Sequence, residues 1–155
     1  MKRVLFVCLG NICRSPTADG VMRALVARAG LTKSVEVDSA GTSATHAGEP
    51  PDPRTQAAAR ARGYELAGLR SRQVVAEDFV RFDLILAMDK QNLANLRRLC
   101  PPHLQAKVAL FLQPVPGVAE DEVPDPYYGG AAGFAQVLDL VEAGCQYWLA
   151  QLQPH

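Results

Sequence analysis

The chain has 155 residues, of which 48% are hydrophobic, and this suits one domain over residues 1–155 with a substantial core. Lys and Arg together number 16, as do Asp and Glu, so the balanced charge argues against nucleic acid or an acidic membrane surface as the main partner. No apolar stretch is long enough for membrane insertion. The short apolar run after Lys2 and Arg3 does not have the form of a signal peptide.

The first predicted elements are a buried strand and an amphipathic helix, joined by a short polar loop. Residues 4–7 form a continuous apolar run, typical of a parallel strand covered on both faces, and this places Cys8 at the carboxyl end of the strand. Apolar residues at helical spacing then predict a helix over residues 16–29. Ser15 is the predicted cap of this helix, and Gly30 is its predicted end.

The loop between this strand and this helix is suited to binding a phosphate. The first N–H groups of a helix have no partner within it and carry partial positive charge, so an anion is their natural ligand. Arg14 adds a planar guanidinium that matches phosphate oxygens, and the same positive field favours the thiolate of Cys8, to which Ser15 can donate a hydrogen bond. We therefore predict that Cys8 is a nucleophile and that phosphate is bound by Leu9, Gly10, Asn11, Ile12, Cys13, Arg14 and Ser15.

The rest of the chain alternates strand-like and helix-like segments, which indicates an α/β fold with a parallel sheet. The predicted segments are, in chain order, a strand at 34–38, a loop at 39–53, a helix from 52 or 53 to 62, a strand at 83–88, a helix at 89–99, a strand at 107–112, an irregular lid at 114–130 and an amphipathic helix at 134–152. Because ligands in such sheets bind beyond the carboxyl ends of the strands, we expect Cys8, Ser39, Asp89 and the lid to converge there. Asp89 opens a helix, where a capping role and a catalytic role both fit.

The proline-rich lid contains a candidate general acid. Turnover of a phosphate ester requires a proton for the leaving oxygen as well as a nucleophile. Asp125 lies between Pro124 and Pro126, which restrict the backbone and can hold its carboxyl group in place. An ordinary Asp-Pro turn fits the same residues.

Together these motifs resemble the low-molecular-weight protein tyrosine phosphatase family. The resemblance rests on C-L-G-N-I-C-R-S-P at residues 8–16 and D-P-Y-Y-G at 125–129, supported by V-D-S-A-G-T at 37–42, P-D-P-R at 51–54 and F-D-L-I-L-A-M-D at 82–89. It spans nearly the whole chain. The fold that it implies is a three-layer sandwich, in which helices flank a four-stranded parallel sheet of order 2-1-3-4 and the phosphate-binding loop follows the first strand.

The resemblance also implies a reaction and its site residues. It implies hydrolysis of phosphotyrosine and small aryl phosphates, in which Cys8 forms a cysteinyl-phosphate, Arg14 binds the phosphate and Asp125 is the general acid. Asn11, Ser15 and Ser39 are expected to order the loop from behind. The expected substrate is a tyrosine-phosphorylated protein, the product is inorganic phosphate, and the protein is expected to be a monomer or a weak dimer. We expect no cofactor or metal, since the histidines are scattered at His46, His103 and His155.

The expected substrate pocket departs from the family pattern in one place. Leu9, Ile12, Tyr127 and Tyr128 would line a slot for an aromatic ring. Many family members have a bulky aromatic residue at the position of Thr45, so one wall of the pocket is open here, with His46 as a weak substitute. The resemblance further implies that Cys13 is a redox partner, which can form a reversible disulfide with Cys8.

Three alternatives remain. Arsenate reductases coupled to thioredoxin share the fold, but they use further cysteines close together, whereas Cys100 and Cys145 are isolated and are expected to be core thiols. Protein-arginine phosphatases of the family usually have threonine where Ile12 stands, so Ile12 favours an aryl ester. A silent phospho-binding module would lack one of Cys8, Arg14 and Asp125. A reduced nucleophilic thiol predicts a cytoplasmic protein.

Overall fold

Four parallel strands form the centre of the computed structural model, which describes residues 1–153, so that His155 lies outside it. The strands are β1 (Lys2–Cys8), β2 (Val35–Gly41), β3 (Leu84–Ala87) and β4 (Val108–Leu110). Their order in the sheet is β2-β1-β3-β4, and every pair is parallel. The predicted sheet and its strand order are therefore confirmed.

Helices cover both faces of this sheet. They are α1 (Arg14–Arg28), α2 (Pro53–Ala61), α3 (Ala76–Arg81), α4 (Lys90–Leu99) and α5 (Ala131–Leu152), with a 3-10 helix at Pro102–Lys107. Alternate residues of β1 enter different layers, since Phe6 packs with α1 and α5 whereas Leu5 packs with α3 and α4. This arrangement is the expected three-layer sandwich. Within residues 1–153, no helix is both long enough and apolar enough to cross a bilayer.

Helix α1 begins earlier than the sequence predicts. Its N-cap is Cys13, which provides no side-chain capping bond, so the prediction that Ser15 caps the helix is wrong. The reason is that the Ser15 hydroxyl bonds inside the site instead. Pro16 is consequently the third helical residue, a position whose N–H has no partner within a helix, so its missing N–H leaves no bond unmade. The N–H of Thr17 is the first to donate a hydrogen bond along the helix, to the Cys13 carbonyl at 3.2 Å.

The second strand is longer than predicted, and one helix was not predicted at all. β2 continues to Gly41 because its last residues pair with β1 and Gly41 also bridges to Gln73, so Ser39 lies within a strand rather than in a loop. Helix α3 has only six residues, too few to show a helical period. The carboxylate of Asp78 accepts a bond from the Val75 N–H at 2.8 Å and thereby fixes the start of this helix.

Two aspartates begin helices as expected. Asp52 accepts a hydrogen bond from the Arg54 N–H at 2.8 Å, and Pro53 occupies the first position of α2. Asp89 accepts a hydrogen bond from the Asn92 N–H at 2.7 Å and caps α4. Asp89 therefore caps a helix at the same edge of the sheet at which Cys8 ends β1.

Candidate active site

A cavity of about 520 Å³ opens beyond the carboxyl end of β1. The residues that line it come from the phosphate-binding loop, from the loop after β2 and from the lid, and they are Cys8, Leu9, Gly10, Ile12, Cys13, Arg14, Ser43, Thr45, His46, Asp125, Tyr127 and Tyr128. The structure thus brings together the three residues with predicted catalytic roles and all five predicted pocket residues. Ser39 and Asn11 do not line the cavity but lie behind it.

Cys8 lies at the base of this cavity with two polar groups beside its sulfur. The Ser15 hydroxyl oxygen is 3.0 Å from Sγ, and the Asn11 N–H donates to Sγ at 3.3 Å. Both groups can donate to a thiolate, and a donor to the charged form stabilises that form. The sulfur therefore faces the cavity with two hydrogen-bonding groups beside it.

The Asn11 side chain determines the direction of the hydrogen bonds at the sulfur. Its amide nitrogen donates to the Ser15 hydroxyl at 2.7 Å and to the Ser39 hydroxyl at 3.1 Å, and its amide oxygen accepts from the Arg72 N–H at 3.0 Å. Since the Ser15 oxygen already accepts a hydrogen bond from Asn11, its own O–H can donate to the Cys8 sulfur at 3.0 Å, a closer acceptor than the Ala40 carbonyl at 3.4 Å. Asn11 itself has a φ of 56°, a strained conformation that asparagine tolerates better than most residues.

A buried carboxylate continues this network away from the cavity. The Ser39 hydroxyl donates to Asp19 at 2.9 Å, and Asp19 also pairs with Arg23, whose guanidinium reaches the Val37 carbonyl at 2.7 Å. Burial raises the pKa of Asp19, and the bonds from Arg23 and Ser39 offset only part of that shift. Asp19 was not predicted from the sequence. Its spacing of four residues from Arg23 on one helix was the available signal.

Arg14 is held by the loop after β3 and by the lid. Its side chain is 4% exposed, and one terminal nitrogen donates to Asp89 at 2.7 Å and to the Val123 carbonyl at 3.1 Å. Burial acts to lower the pKa of Arg14, but the neighbouring Cys8, Asp89 and Asp125 raise it by more, so the guanidinium stays charged. Asp89 therefore caps α4 and also positions Arg14, a contact that the sequence did not reveal.

Asp125 stands above the guanidinium of Arg14. One carboxylate oxygen is 3.7 Å from the other terminal nitrogen of Arg14, and the second accepts the Tyr127 N–H at 3.0 Å. The side chain is 41% exposed, so it can exchange protons with water. A salt bridge of 3.1 Å between Asp121 of the lid and Lys90 connects the lid to α4.

The mouth of the cavity has an aromatic side and a polar side. Tyr127 packs edge-on against Tyr128 with ring centroids 4.9 Å apart, and the Arg54 guanidinium lies 5.3 Å from the centre of the Tyr127 ring. On the polar side, the Thr45 hydroxyl bonds to Ser43 at 2.6 Å. His46 lies 6.4 Å from the Tyr127 ring, centroid to centroid, so an imidazole stands where the pocket lacks an aromatic wall.

All four cysteines are buried and none forms a disulfide within residues 1–153. Burial raises the pKa of Cys13 to about 12, with further upward contributions from the charges of Asp52, Cys8 and Asp125 and an opposing bond from Thr55. Cys13 is therefore a protonated thiol, and its role as redox partner stays a prediction. Cys100 and Cys145 lie in the two main apolar layers, as expected, and burial raises the pKa of each.

A short segment between α2 and α3 supports the phosphate-binding loop from the side. This segment, residues 70–73, is called the strap below. The Ser71 hydroxyl donates to the Gly10 carbonyl at 2.9 Å, and the Arg72 guanidinium makes paired bonds of 3.0 Å to Asp78. Among residues 1–153, no group of three or more His, Cys, Asp and Glu side chains is arranged to hold a metal ion.

Known proteins resemble this chain over almost its full length. Residues 3–155 match the model of the low molecular weight phosphotyrosine protein phosphatase family. The low molecular weight protein-tyrosine-phosphatase of Streptomyces coelicolor is 49% identical over 154 residues, which cover 97% of this chain and 93% of that one.

Two crystal structures show the same architecture. That of protein tyrosine phosphatase from Entamoeba histolytica, with Hepes in its active site, has a TM-score of 0.95 and 41% identity, covering 98% of this chain and 97% of that one. YfkJ from Bacillus subtilis has a TM-score of 0.93 and 40% identity, covering 99% of this chain and 95% of that one. The chain therefore belongs to the low molecular weight phosphotyrosine protein phosphatase family, a family of hydrolases.

Proposed function

We propose that this protein hydrolyses phosphotyrosine and small aryl phosphates by double displacement through a cysteinyl-phosphate. One observation carries the proposal. The Cys8 sulfur lies at the base of the cavity, 3.0 Å from the Ser15 hydroxyl and 3.3 Å from the Asn11 nitrogen, with the buried guanidinium of Arg14 and the carboxyl group of Asp125 lining the same space. These are the groups that a transfer of phosphate to sulfur requires.

In the first step, the Cys8 thiolate attacks phosphorus, and the S–P bond forms as the P–O bond to the phenol breaks. Loop N–H groups and Arg14 bind the equatorial oxygens, on which the transition-state charge is spread. Asp125, protonated at this stage, gives its proton to the leaving oxygen. Its distance of 3.7 Å from Arg14 keeps the acid next to the bound phosphate.

In the second step, water attacks the phosphorus of the cysteinyl-phosphate. Asp125, now a carboxylate, takes a proton from this water, and the S–P bond breaks to release inorganic phosphate. The electron pair of that bond returns to the Cys8 sulfur, where Ser15 donates a hydrogen bond to the thiolate. The enzyme returns to its starting state without a cofactor.

The walls of the cavity support an aryl substrate. Ile12 and Tyr127 belong to one apolar cluster with Cys13 and Phe134, and an apolar slot favours a flat ring over a guanidinium. We infer that the natural substrate is a tyrosine-phosphorylated protein. Because the proposed mechanism requires a reduced Cys8 thiol, we infer a cytoplasmic location.

A parallel turnover assay with phosphotyrosine, phosphoarginine and arsenate tests the substrate class. Phosphotyrosine should be hydrolysed fastest, because Ile12 offers no polar partner to a guanidinium. Faster turnover of phosphoarginine would instead assign a protein-arginine phosphatase. Reduction of arsenate in the presence of thioredoxin and its reductase would assign an arsenate reductase.

Substitution of the nucleophile tests the mechanism. Cys8→Ser should reduce hydrolysis of an aryl phosphate by at least about 1000-fold, because a hydroxyl is a far weaker nucleophile than a thiolate. Cys100→Ser is the matched control, since this thiol lies in the opposite apolar layer, and it should retain activity. Persistent hydrolysis in Cys8→Ser would contradict the mechanism.

A further inference from the structure

The strap meets the phosphate-binding loop at the peptide bond between Gly10 and Asn11. The carbonyl oxygen of this peptide accepts the Ser71 hydroxyl at 2.9 Å, and its N–H donates to the Cys8 sulfur at 3.3 Å. Both bonds belong to one planar unit, because a peptide group is rigid about its C–N bond. The orientation of the donor that faces the nucleophile is therefore tied to the orientation of the carbonyl that Ser71 holds.

The backbone alone does not favour this orientation. Asn11 has a φ of 56°, in a region that residues other than glycine seldom occupy, so bonds from outside the loop must keep it there. The strap supplies two of them, since Ser71 binds the Gly10 carbonyl and the adjacent Arg72 N–H binds the Asn11 side chain at 3.0 Å.

Ser71 is itself held in a fixed position. Its N–H donates to the Glu49 carbonyl at 2.8 Å, and its carbonyl accepts the Gly48 N–H at 2.8 Å, so two backbone hydrogen bonds hold it against the loop after β2. The residue is 5% exposed, which leaves little water to replace its hydroxyl as a donor to Gly10. A hydroxyl donor on a carbonyl also polarises the peptide and strengthens the bond that its N–H makes.

We propose that Ser71 is a positioning residue for the Cys8 nucleophile, and that it acts through the Gly10–Asn11 peptide to stabilise the thiolate. Only the expected effect of Ser71 on turnover rests on the proposed function. Its expected effect on alkylation of the Cys8 thiol is measured without a substrate. Through its backbone bonds, Ser71 also links the loop that lines the mouth to the peptide that faces the sulfur.

The test is the pH dependence of Cys8 alkylation by iodoacetamide, followed by mass spectrometry of the peptide that contains Cys8. In Ser71→Ala the midpoint should move to higher pH, and alkylation below that midpoint should slow by about 3-fold, the size expected for one weakened hydrogen bond. The acidic limb of kcat/KM for an aryl phosphate should move in the same direction. Ser34→Ala, which removes an exposed hydroxyl before β2, is the control and should leave both profiles unchanged.

Thermal unfolding of Ser71→Ala separates positioning from simple support of the fold. A lower Tm with unchanged alkylation and kcat/KM profiles would overturn the proposal, and so would an unchanged midpoint at an unchanged Tm. Ser71→Thr keeps the hydroxyl, so a folded Ser71→Thr protein should retain the original midpoint. Hydrolysis that persists in Cys8→Ser would overturn the proposed function alone, because the alkylation midpoint is measured without turnover.

Discussion

The base of the cavity and its mouth are built in different ways. At the base, Cys8, Asn11 and Ser15 are buried and bonded to one another, and the Arg14 side chain is only 4% exposed. At the mouth, Tyr128 is 94% exposed. The proposed nucleophile Cys8 and the guanidinium of Arg14 are therefore held in place by buried neighbours, whereas Tyr128 at the mouth is surrounded by water.

The difference has a physical cause. A buried polar group that loses its partner costs about 1–3 kcal/mol, so each residue at the base restricts the choice of its neighbours. Exposed side chains at the mouth can form hydrogen bonds with water instead, so substitutions there change the free energy of unfolding very little. Exposed residues at the mouth, such as Thr45, can thus be substituted more easily than the buried residues at the base.

The largest expected effect tests the base. Arg14→Lys keeps the positive charge but loses the planar fork that bonds to Asp89 and to the Val123 carbonyl and that binds phosphate in the proposed mechanism. We expect kcat/KM for an aryl phosphate to fall by about 1000-fold. Arg70→Lys, an exposed arginine of the strap that bonds to nearby carbonyls, is the control. A loss in Arg14→Lys no larger than in this control would mean that charge alone suffices.

The next effect tests the lid, which joins base and mouth. Asp125→Asn removes the acid and should slow hydrolysis of esters with poor phenolic leaving groups by about 100-fold, and that of activated esters much less. The measurement is the dependence of kcat on leaving-group acidity. Asp121→Asn lies in the same lid, where it pairs with Lys90, and should keep the original dependence. An equal loss for good and poor leaving groups would show that Asp125 is not the acid.

A smaller effect should separate the two tyrosines of the mouth. Tyr127 packs against Arg54 and His46, so Tyr127→Ala should raise KM for phosphotyrosine by about 10-fold, in keeping with the loss of one partly buried aromatic contact. Tyr128→Ala should change the same KM by only about 2-fold, because an exposed ring contributes little. An equal rise of KM in the two variants would show that packing of the tyrosine ring does not determine its contribution to substrate binding.

The smallest expected effect concerns stability behind the base. The folded-state pKa of Asp19 lies above its ordinary value of 3.8, because burial disfavours the carboxylate. The stabilisation linked to its proton is therefore complete below pH 3.8 and is lost as the pH rises through the folded-state pKa. Asp19→Asn cannot titrate, so its free energy of unfolding should improve relative to the unsubstituted protein as the pH rises toward neutrality.

Denaturant unfolding at a series of pH values measures this difference. Asp139→Asn, on the exposed face of α5, is the control and should keep the pH dependence of the unsubstituted protein. If Asp19→Asn also keeps that dependence, the carboxylate does not change its protonation on folding.

Sequence reasoning recovered what depends on local pattern. The apolar run of β1, the loop after it and the proline-rich lid each carry their signal within a few residues, so the parallel sheet and the place of the site were predictable. The strand order and the pocket residues came from the family resemblance. Contacts between distant segments were not. The bond from Arg14 to Asp89 joins residues 75 positions apart, and the bond from Ser71 to Gly10 joins residues 61 apart.

The start of α1 was misjudged for a related reason. Ser15 followed by Pro16 has the usual form of a helix cap, and local preference alone favours that assignment. The serine instead bonds to Cys8 and Asn11, since the buried network needs its hydroxyl there. A tertiary requirement thus moved a helix boundary that the local sequence had seemed to fix.

Pro16 has a consequence for the loop that precedes it. Were α1 to grow backward by one residue, the fourth helical position would fall on Pro16, which has no N–H to give to the Ile12 carbonyl. That carbonyl is instead taken by the Asp52 N–H at 2.8 Å. The proline thus helps to set the boundary between the loop and α1, because a helix that began one residue earlier would lack its first backbone hydrogen bond.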